Sequence, residues 1–552
     1  VLKQLLTATL LFFIVSSAFA QDYGQLSGNF QTSSNFYIKD EKLGQLPPQY
    51  TKQLSSNESF LFLNYKVRGF DFNLRYDYFS NTPLLAPFAS YTNHGIGFWS
   101  VSKDIRNLNI TVGSFYDQIG SGLIFRAFED RLIGIDYAVQ GARLKYQISD
   151  DFFVKAFTGN QKGFFDPTTL EDTRFEFSPQ TLSGANVEKG LRISKNLNIN
   201  LGAGAVNRTL NEAVMNQIVT EINNMPLEER FIPKYNTYAF TGYTSIDLFR
   251  KLNLNFEYAH KTAEALRNPL SLDLFSSEGR VYSAGLSFAT KGFGINVQGR
   301  KIESFQFRSS PNNLLLNGII TYLPALTRQN TYRLLARYNP FAQELGEDGI
   351  QADFVWTPNK KVSFTGNFSY VESDAVKPGK TTKLFREYYV DMLLKINKKS
   401  KLKLGFQSVF YNQAIYENNS AAPNVETLTP FGEFNYKINR KQSLRFEWQY
   451  LQTDGDQGSF VNAVLEYNIA PKLSFAVGDM INTDPVRTPN TPQETISAEQ
   501  IHYYTFFASY LQGTTRFTAE YKKQVAGVNC TGGICRVEPA FNGVRVAVTT
   551  TF

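Results

Sequence analysis

Asp71 to Tyr78 reads DFNLRYDY. In an extended chain Phe72, Leu74, Tyr76 and Tyr78 fall on one face, and Asp71, Asn73, Arg75 and Asp77 on the other, because strand side chains alternate with period two. The same alternation returns in Leu252 to Tyr258 (LNLNFEY), with Lys251, Asn253, Asn255 and Glu257 on the polar face. It returns again in Ser443 to Tyr450 (SLRFEWQY), where Leu444, Phe446, Trp448 and Tyr450 oppose Ser443, Arg445, Glu447 and Gln449. Such segments run for about ten residues, the length of a membrane-crossing strand. One face suits lipid and the other water.

A soluble sandwich has the same alternation, so the connections decide. Short polar turns join strands in pairs at Arg68-Gly69, Asp104 to Asn107, Ser149 to Asp151, Lys195-Asn196, Arg250-Lys251, Lys291-Gly292, Pro358 to Lys361, Lys398 to Lys401, Asn439 to Lys441, Pro471-Lys472 and Gln512-Gly513. Longer connections lie between the pairs: Asp40 to Ser56, Asn81 to Asn93, Gly163 to Gly184, Asn207 to Tyr235, Thr262 to Ser277, Asp374 to Phe385 and Asn482 to Glu499. Short turns on one side and long loops on the other predict an all-β transmembrane antiparallel β-barrel of about 24 strands, range 20–26, with short periplasmic turns and long extracellular loops. The even count requires that Phe305 to Gly349 make no net crossing, although Thr331 to Tyr338 within it could itself be a strand.

Composition agrees. The 552 residues hold 48 Phe and 30 Tyr against 3 Trp, 4 Met and 3 His, a strand-forming balance suited to aromatic girdles. Mean hydropathy is -0.27, and beyond the N-terminus no apolar run reaches the roughly 18 residues that a transmembrane helix needs. The formal charge of +7 is spread singly or in pairs at turns, which excludes the one-faced basic stripe of a nucleic-acid binder.

Residues 1–20 read as a cleaved signal peptide: Lys3 in the positive region, Leu5 to Val15 apolar, and Ala18-Phe19-Ala20 before Gln21. Residues 21–552 are then one outer-membrane barrel domain. In an exported chain Cys530 and Cys535 are expected to form a disulfide, with Gly532-Gly533 allowing the turn. The chain ends on an alternating strand, Val544, Val546 and Val548, with a terminal Phe552; barrels of this class resemble one another in such an ending, which serves as an insertion signal. In Asn207 to Tyr235, Leu210, Val214, Ile218 and Ile222 recur every four residues before Pro226, predicting a short helix.

Gly113 to Tyr146 is the segment densest in candidate chemistry. Gly113, Gly120 and Gly122 mark bends or close backbone approach. Arg126, Glu129, Asp130, Arg131 and Asp136 follow, with Arg143 on the next strand. Charges are costly on a lipid face at mid-membrane, so the segment belongs inside the lumen or above the membrane. Two readings stand: these six residues constrict a pore and set its ion preference, or they brace the barrel mouth as a salt-bridge cluster.

The run FYDQIGSGLIFRAFEDRLIGID (Phe115 to Asp136), followed by GARLKY (Gly141 to Tyr146), resembles a stretch recurring in uncharacterised porin-like outer-membrane barrels of Bacteroidota; LPALTRQ (Leu323 to Gln329) resembles the same family. The resemblance implies fold and bacterial outer-membrane location, and it brings no activity.

An enzyme is not expected. His94, His260 and His502 all fall near extracellular strand ends, outside any recognisable nucleophile or metal motif, and no Gly-rich phosphate loop, paired-Cys metal framework or HExxH occurs. No metal or other cofactor is expected. An energy-coupled receptor would carry a plug domain of over a hundred residues before its first strand, whereas strand-like sequence begins at Tyr23 and Leu26. The favoured function is therefore a porin-like channel for small polar solutes. The alternative is a non-conducting subunit of a larger outer-membrane secretion or assembly complex. Expected partners are outer-membrane lipid, the barrel-assembly machinery during insertion and, on the alternative, other complex subunits; nucleic acid is not among them.

Overall fold

The computed structural model describes residues 24–43, 48–84, 90–131, 134–166, 171–268, 271–313, 316–377, 380–485, 500–525, 527–531, 534–538 and 540–552. The expected signal peptide and most of the 482–499 loop lie outside them. Twenty-four strands form one sheet. In chain order they are β1 Gln25–Tyr37, β2 Ser55–Val67, β3 Phe70–Thr82, β4 Tyr91–Ile105, β5 Leu108–Phe115, β6 Val139–Ser149, β7 Phe152–Lys162 and β8 Phe177–Ser194. Then follow β9 Leu197–Thr209, β10 Asn236–Leu248, β11 Leu252–Arg267, β12 Leu274–Thr290, β13 Phe293–Glu303, β14 Gly346–Asn359, β15 Val362–Lys377 and β16 Lys380–Lys395. The circuit finishes with β17 Ser400–Tyr411, β18 Val425–Lys437, β19 Gln442–Leu451, β20 Ser459–Ile469, β21 Leu473–Asp484, β22 His502–Gln512, β23 Thr515–Gln524 and β24 Phe541–Thr551.

Each strand pairs antiparallel with its neighbours in sequence, and β1 pairs with β24 from Asn29 opposite Thr551 to Tyr37 opposite Gly543. The sheet therefore closes and satisfies its own backbone groups, the condition for strands in an apolar medium. Among the described residues no helix is long and apolar enough to cross a membrane. The alternation that began at Asp71 sorts as expected. Phe72, Tyr76, Phe256, Tyr258, Phe406 and Phe446 stand exposed on the outer wall, while Arg75 and Asp77 are buried inside. Outer aromatics form two belts. Towards the turns Trp356 stacks with Phe364 and Phe434 with Tyr436; towards the loops Tyr258 meets Tyr282 and His502 stacks on Tyr504.

Three loops are much shorter than the sequence predicts. Strand pairing runs on to Arg267 and resumes at Leu274, spans Lys377 and Lys380, and resumes at Phe177 rather than Gly184. Polar residues there still satisfy their backbones by pairing, so β8 reaches 18 residues against the roughly ten that a membrane needs. The segment 304–345 makes no crossing, and Thr331 to Tyr338 forms turns rather than a strand. Its backbone lies inside the barrel, where the wall strands are already paired on both edges.

The predicted helix is present as α1 (Glu212–Asn223). The Asn211 side chain caps it by accepting from the Val214 N–H at 3.1 Å. Met215, Ile218 and Ile222 bury against Leu210, Ala265 and Leu274, and Arg267 holds Glu221 at 2.8 Å. The helix thus rests on the β11–β12 loop rather than entering the lumen.

At the closing seam Val546 and Phe552 are exposed. Pairing extends past β24, with Gly28 and Phe552 exchanging backbone hydrogen bonds at 2.8 and 3.0 Å. A Cβ at Gly28 would strike the Phe552 ring. In the last long loop, backbone pairing sets Cys530 directly opposite Cys535; the expected disulfide falls on side chains outside those described.

Candidate functional site: two chain segments inside the barrel

Two connections fold into the lumen. The first, 116–138, is built as two small hairpins: Asp117–Gln118 pairs with Arg126–Ala127, and Glu129–Asp130 with Ile135–Asp136. The glycines anticipated as close-approach points act that way. A Cβ on Gly120 would collide with the Glu257 carboxylate, and one on Gly122 would press on Tyr322 and Arg126; both glycines have positive φ, 56° and 102°. The tip is fastened to the wall at Glu257, which accepts from the Ser121 N–H at 2.9 Å and the Thr241 hydroxyl at 2.9 Å. Ile119, Leu123, Ile124 and Phe125 pack on inward Phe157, Leu182, Val206 and Ala239.

The second segment, 304–345, crosses the lumen. It leaves β13 beside Lys261, whose ammonium donates to the Gln306 carbonyl at 2.9 Å, and beside Arg208, which donates to the Arg308 carbonyl at 3.2 Å. Glu387 on β16 then accepts from Thr327, the Arg328 N–H and Asn330. At the far wall Tyr332 packs on Phe431 and donates to Glu433, the Leu334 N–H donates to Gln449, and Arg337 pairs with Asp456 at 3.2 Å. The two segments join each other: Arg126 N–H to the Ile320 carbonyl at 2.8 Å, Tyr322 N–H to the Gly122 carbonyl at 2.9 Å, and the Tyr137 hydroxyl to the Leu316 carbonyl at 2.5 Å.

The six charged residues singled out in sequence separate into groups. Glu129 and Asp136 meet at Arg75, 2.6 Å from each, and Arg75 also holds Asp77 at 2.7 Å. Lys162 reaches Asp136 at 2.8 Å. Burial alone would raise the Asp136 carboxyl, but Lys162 and Arg75 hold it well below the usual carboxylate range. Arg126 stacks 3.8 Å over the Tyr322 ring and 4.7 Å from that of Phe128. Arg131 is partly exposed, 3.9 Å from Glu129 and over the Phe60 and Phe62 rings of β2, with Asp130 half-buried beside it. Arg143 lies lower on β6, 3.4 Å from Asp117. Sequence reading did not single out Arg75, Asp77 or Lys162 as partners, although the first two sit on the polar face of DFNLRYDY. Nor did it identify the ion triad of Arg208, Lys261 and Glu264, at 2.8 and 2.5 Å.

Inward positions near the long loops are buried almost all round: Asp77 and Phe79 on β3, Val281 on β12, Glu387 on β16, Leu451 on β19 and Met480 on β21. One sector differs. On β22 to β24, β1 and β2, inward Thr505, Glu520, Arg545, Asn35 and Glu58 remain partly accessible, with the Arg545 side chain 43% exposed. Residues 38–43 and 48–54 roof this sector. Tyr50 packs edge-on to Tyr37 at 4.9 Å and accepts from the Asn542 N–H at 2.7 Å, and Lys523 holds Asp40 at 2.6 Å.

The three histidines face outward: His94 bonds Tyr76, His502 bonds Asp479, and His260 pairs opposite exposed Phe240. Among the described residues no group of three or more His, Cys, Asp or Glu is arranged to hold a metal ion.

Comparison with family models matches residues 1–552 to a family of unknown function (DUF6029). No curated protein sequence matches. Among solved structures, the P pilus usher (PapC) translocation pore is similar at TM-score 0.46 and 8% identity, over 95% of this chain and 99% of that one. The siderophore receptor PirA from Pseudomonas aeruginosa gives 0.42 and 10% over 96% and 81%. The ferric-catecholate import receptor Fiu from E. coli K12, in its open form, gives 0.41 and 9% over 95% and 81%.

Proposed function

The chain belongs over its whole length to this family of unknown function, which brings no activity with it, and we propose from the lumen itself that the protein is a bacterial outer-membrane transport barrel with a narrow passage for small polar solutes. The passage runs along the wall sector β22 to β2, between that wall and the two inward segments. The observation that carries this reading is a contrast in inward burial a few residues below the long loops: Glu520, Arg545, Asn35 and Glu58 stay partly accessible in this sector, whereas Asp77, Glu387, Gln449 and Asn462 at a similar height on other strands are covered. Outer-membrane placement rests on the closed sheet, its apolar outer face and its paired aromatic belts. The Bacteroidota assignment stays a proposal on the resemblance of Phe115 to Asp136 and Leu323 to Gln329, which fall in the two inward segments. Arg131, over Phe60 and Phe62 of β2, borders this sector as a constriction residue, with Asp130 next to it in the chain; Glu129 and Asp136 hold the constriction in place.

The test is conductance in planar bilayers. The wild-type barrel gives small discrete steps. The ends of the crossing segment are already adjacent, with Ser304 N–H to the Leu345 carbonyl at 2.9 Å and Phe305 N–H to the Glu344 carbonyl at 2.7 Å. Replacing residues 306–344 by a short Gly-Ser linker should therefore leave the wall intact and raise the step severalfold. A folded wild-type barrel that is electrically silent overturns the channel reading. The filled upper lumen would then favour the second reading, a non-conducting subunit of an outer-membrane complex, checked by recovery of partners after gentle extraction.

A further inference from the structure

Three consecutive short turns repeat one motif: Asn359-Lys360-Lys361 between β14 and β15, Asn397-Lys398-Lys399 between β16 and β17, and Asn439-Arg440-Lys441 between β18 and β19. The geometry repeats with the sequence. Each Asn side-chain oxygen accepts from the backbone N–H groups two and three residues on: 2.8 and 3.1 Å at Asn359, 2.8 and 2.9 Å at Asn397, 2.8 and 3.0 Å at Asn439. This turn fixes the backbone and presents two adjacent cations at the tip. All six cationic residues are exposed. No carboxylate pairs with any of them among the described residues, and the turns contain no Asp or Glu. The turns are neighbours on the rim, with the Lys395 N–H bonded to the Lys361 carbonyl and the Lys437 N–H to the Lys399 carbonyl.

The apolar residues beside these cations say what they face. Ile396 and Ile438, within two of the turns, are 48% and 37% exposed, and the outer aromatic belt of Trp356, Phe434 and Tyr436 lies immediately above. Apolar anchor, aromatic belt and cationic tip in that order is the profile of a membrane interface, where long basic side chains reach to the headgroup level. An acidic soluble partner would not need the exposed isoleucines.

We propose that this sector of the rim, at the turns between β14 and β19, is a docking surface for anionic phospholipid headgroups of the periplasmic leaflet. The proposal rests on the outer-membrane reading above. Each Lys or Arg held at an anionic surface favours association by about fivefold, so even partial engagement of six gives a clear preference over zwitterionic lipid. The contact orients the barrel and gathers acidic lipid at one arc of its circumference.

The experiment uses the refolded full barrel with Trp99→Phe and Trp448→Phe, leaving Trp356 as sole reporter three residues before Asn359. It is placed in phosphatidylcholine nanodiscs doped with brominated phosphatidylglycerol or, separately, the same fraction of brominated phosphatidylcholine. Expected is at least twofold stronger quenching by the phosphatidylglycerol. The preference should vanish in a variant with all six cations changed to Gln, whose folding is checked by heat-modifiable migration. Equal quenching by both lipids in an inserted, folded barrel overturns the proposal while leaving the membrane reading intact. So does binding of soluble poly-glutamate to the rim without any lipid preference. Failure of the barrel to insert at all would instead strike the outer-membrane reading.

Discussion

Changing Arg75 to Met should loosen the first inward segment from the wall. The Arg75 side chain is 4% exposed and faces three carboxylates: Asp77 at 2.7 Å, Glu129 at 2.6 Å and Asp136 at 2.6 Å. At an effective dielectric near 20, each close pair is worth roughly 4 kcal/mol of attraction before desolvation. Most of that gross energy offsets the cost of burying the charges. Removal leaves the carboxylates with Lys162 as the one buried cation shown contacting them, at 2.8 Å from Asp136. Stripping one partner from a buried network costs about 3–5 kcal/mol, and that is the loss expected in reversible urea unfolding. Met fills most of the volume, so cavity formation adds little. Adding Asp136→Asn should return part of the loss, because it removes one of the stranded charges, and the double-mutant cycle measures how much. The same variant should show faster cleavage near Arg131 under limited proteolysis. A loss below about 1 kcal/mol, with unchanged proteolysis, would refute the claim that Arg75 holds the segment.

Asp136 has its folded carboxyl held below the usual range, so its contribution to stability is fully present above the unfolded value near 3.9 and is lost only as pH falls through the lower folded one. Unfolding midpoints compared at about pH 7 and pH 4.5 should then show no loss attributable to Asp136, with Asp136→Asn as reference. Deleting Phe552 removes two backbone bonds to Gly28 at the seam and should lower folding yield into vesicles, read by heat-modifiable migration, more than it lowers the stability of the folded fraction. The Cys530–Cys535 bridge is expected to be oxidised in the exported protein, with no alkylation by mass spectrometry until reductant is added. Its loss should change global stability little, because the loop it closes is short.

The wall was legible from the residues because period-two alternation is local, and because a lipid-facing sheet permits few exceptions. Strand number and the side carrying long loops follow from the same signal. The loop limits at Arg267, Lys377 and Phe177 were not legible, since polar strands above a membrane lack the apolar face that marks them. That Gly113 to Asp136 avoids the lipid face could be read from its charges, and its bends from its glycines; that it turns into the lumen and does not stand above the membrane could not. That Arg75 and Lys162 receive those charges could not, because they lie 61 and 26 positions from Asp136. The course of 304–345 was the least legible. Its side chains answer to inward positions on many strands at once, from Lys261 to Gln449, and no periodicity records that.

The hydrogen bonds from Arg126 to Ile320, Tyr322 to Gly122 and Tyr137 to Leu316 have a bearing on motion. They lash the two interior segments into one stopper with anchors on opposite halves of the cylinder. Neither piece can swing aside alone without tearing those ties, so any widening of the conduit should come as a single concerted step and not as two graded ones.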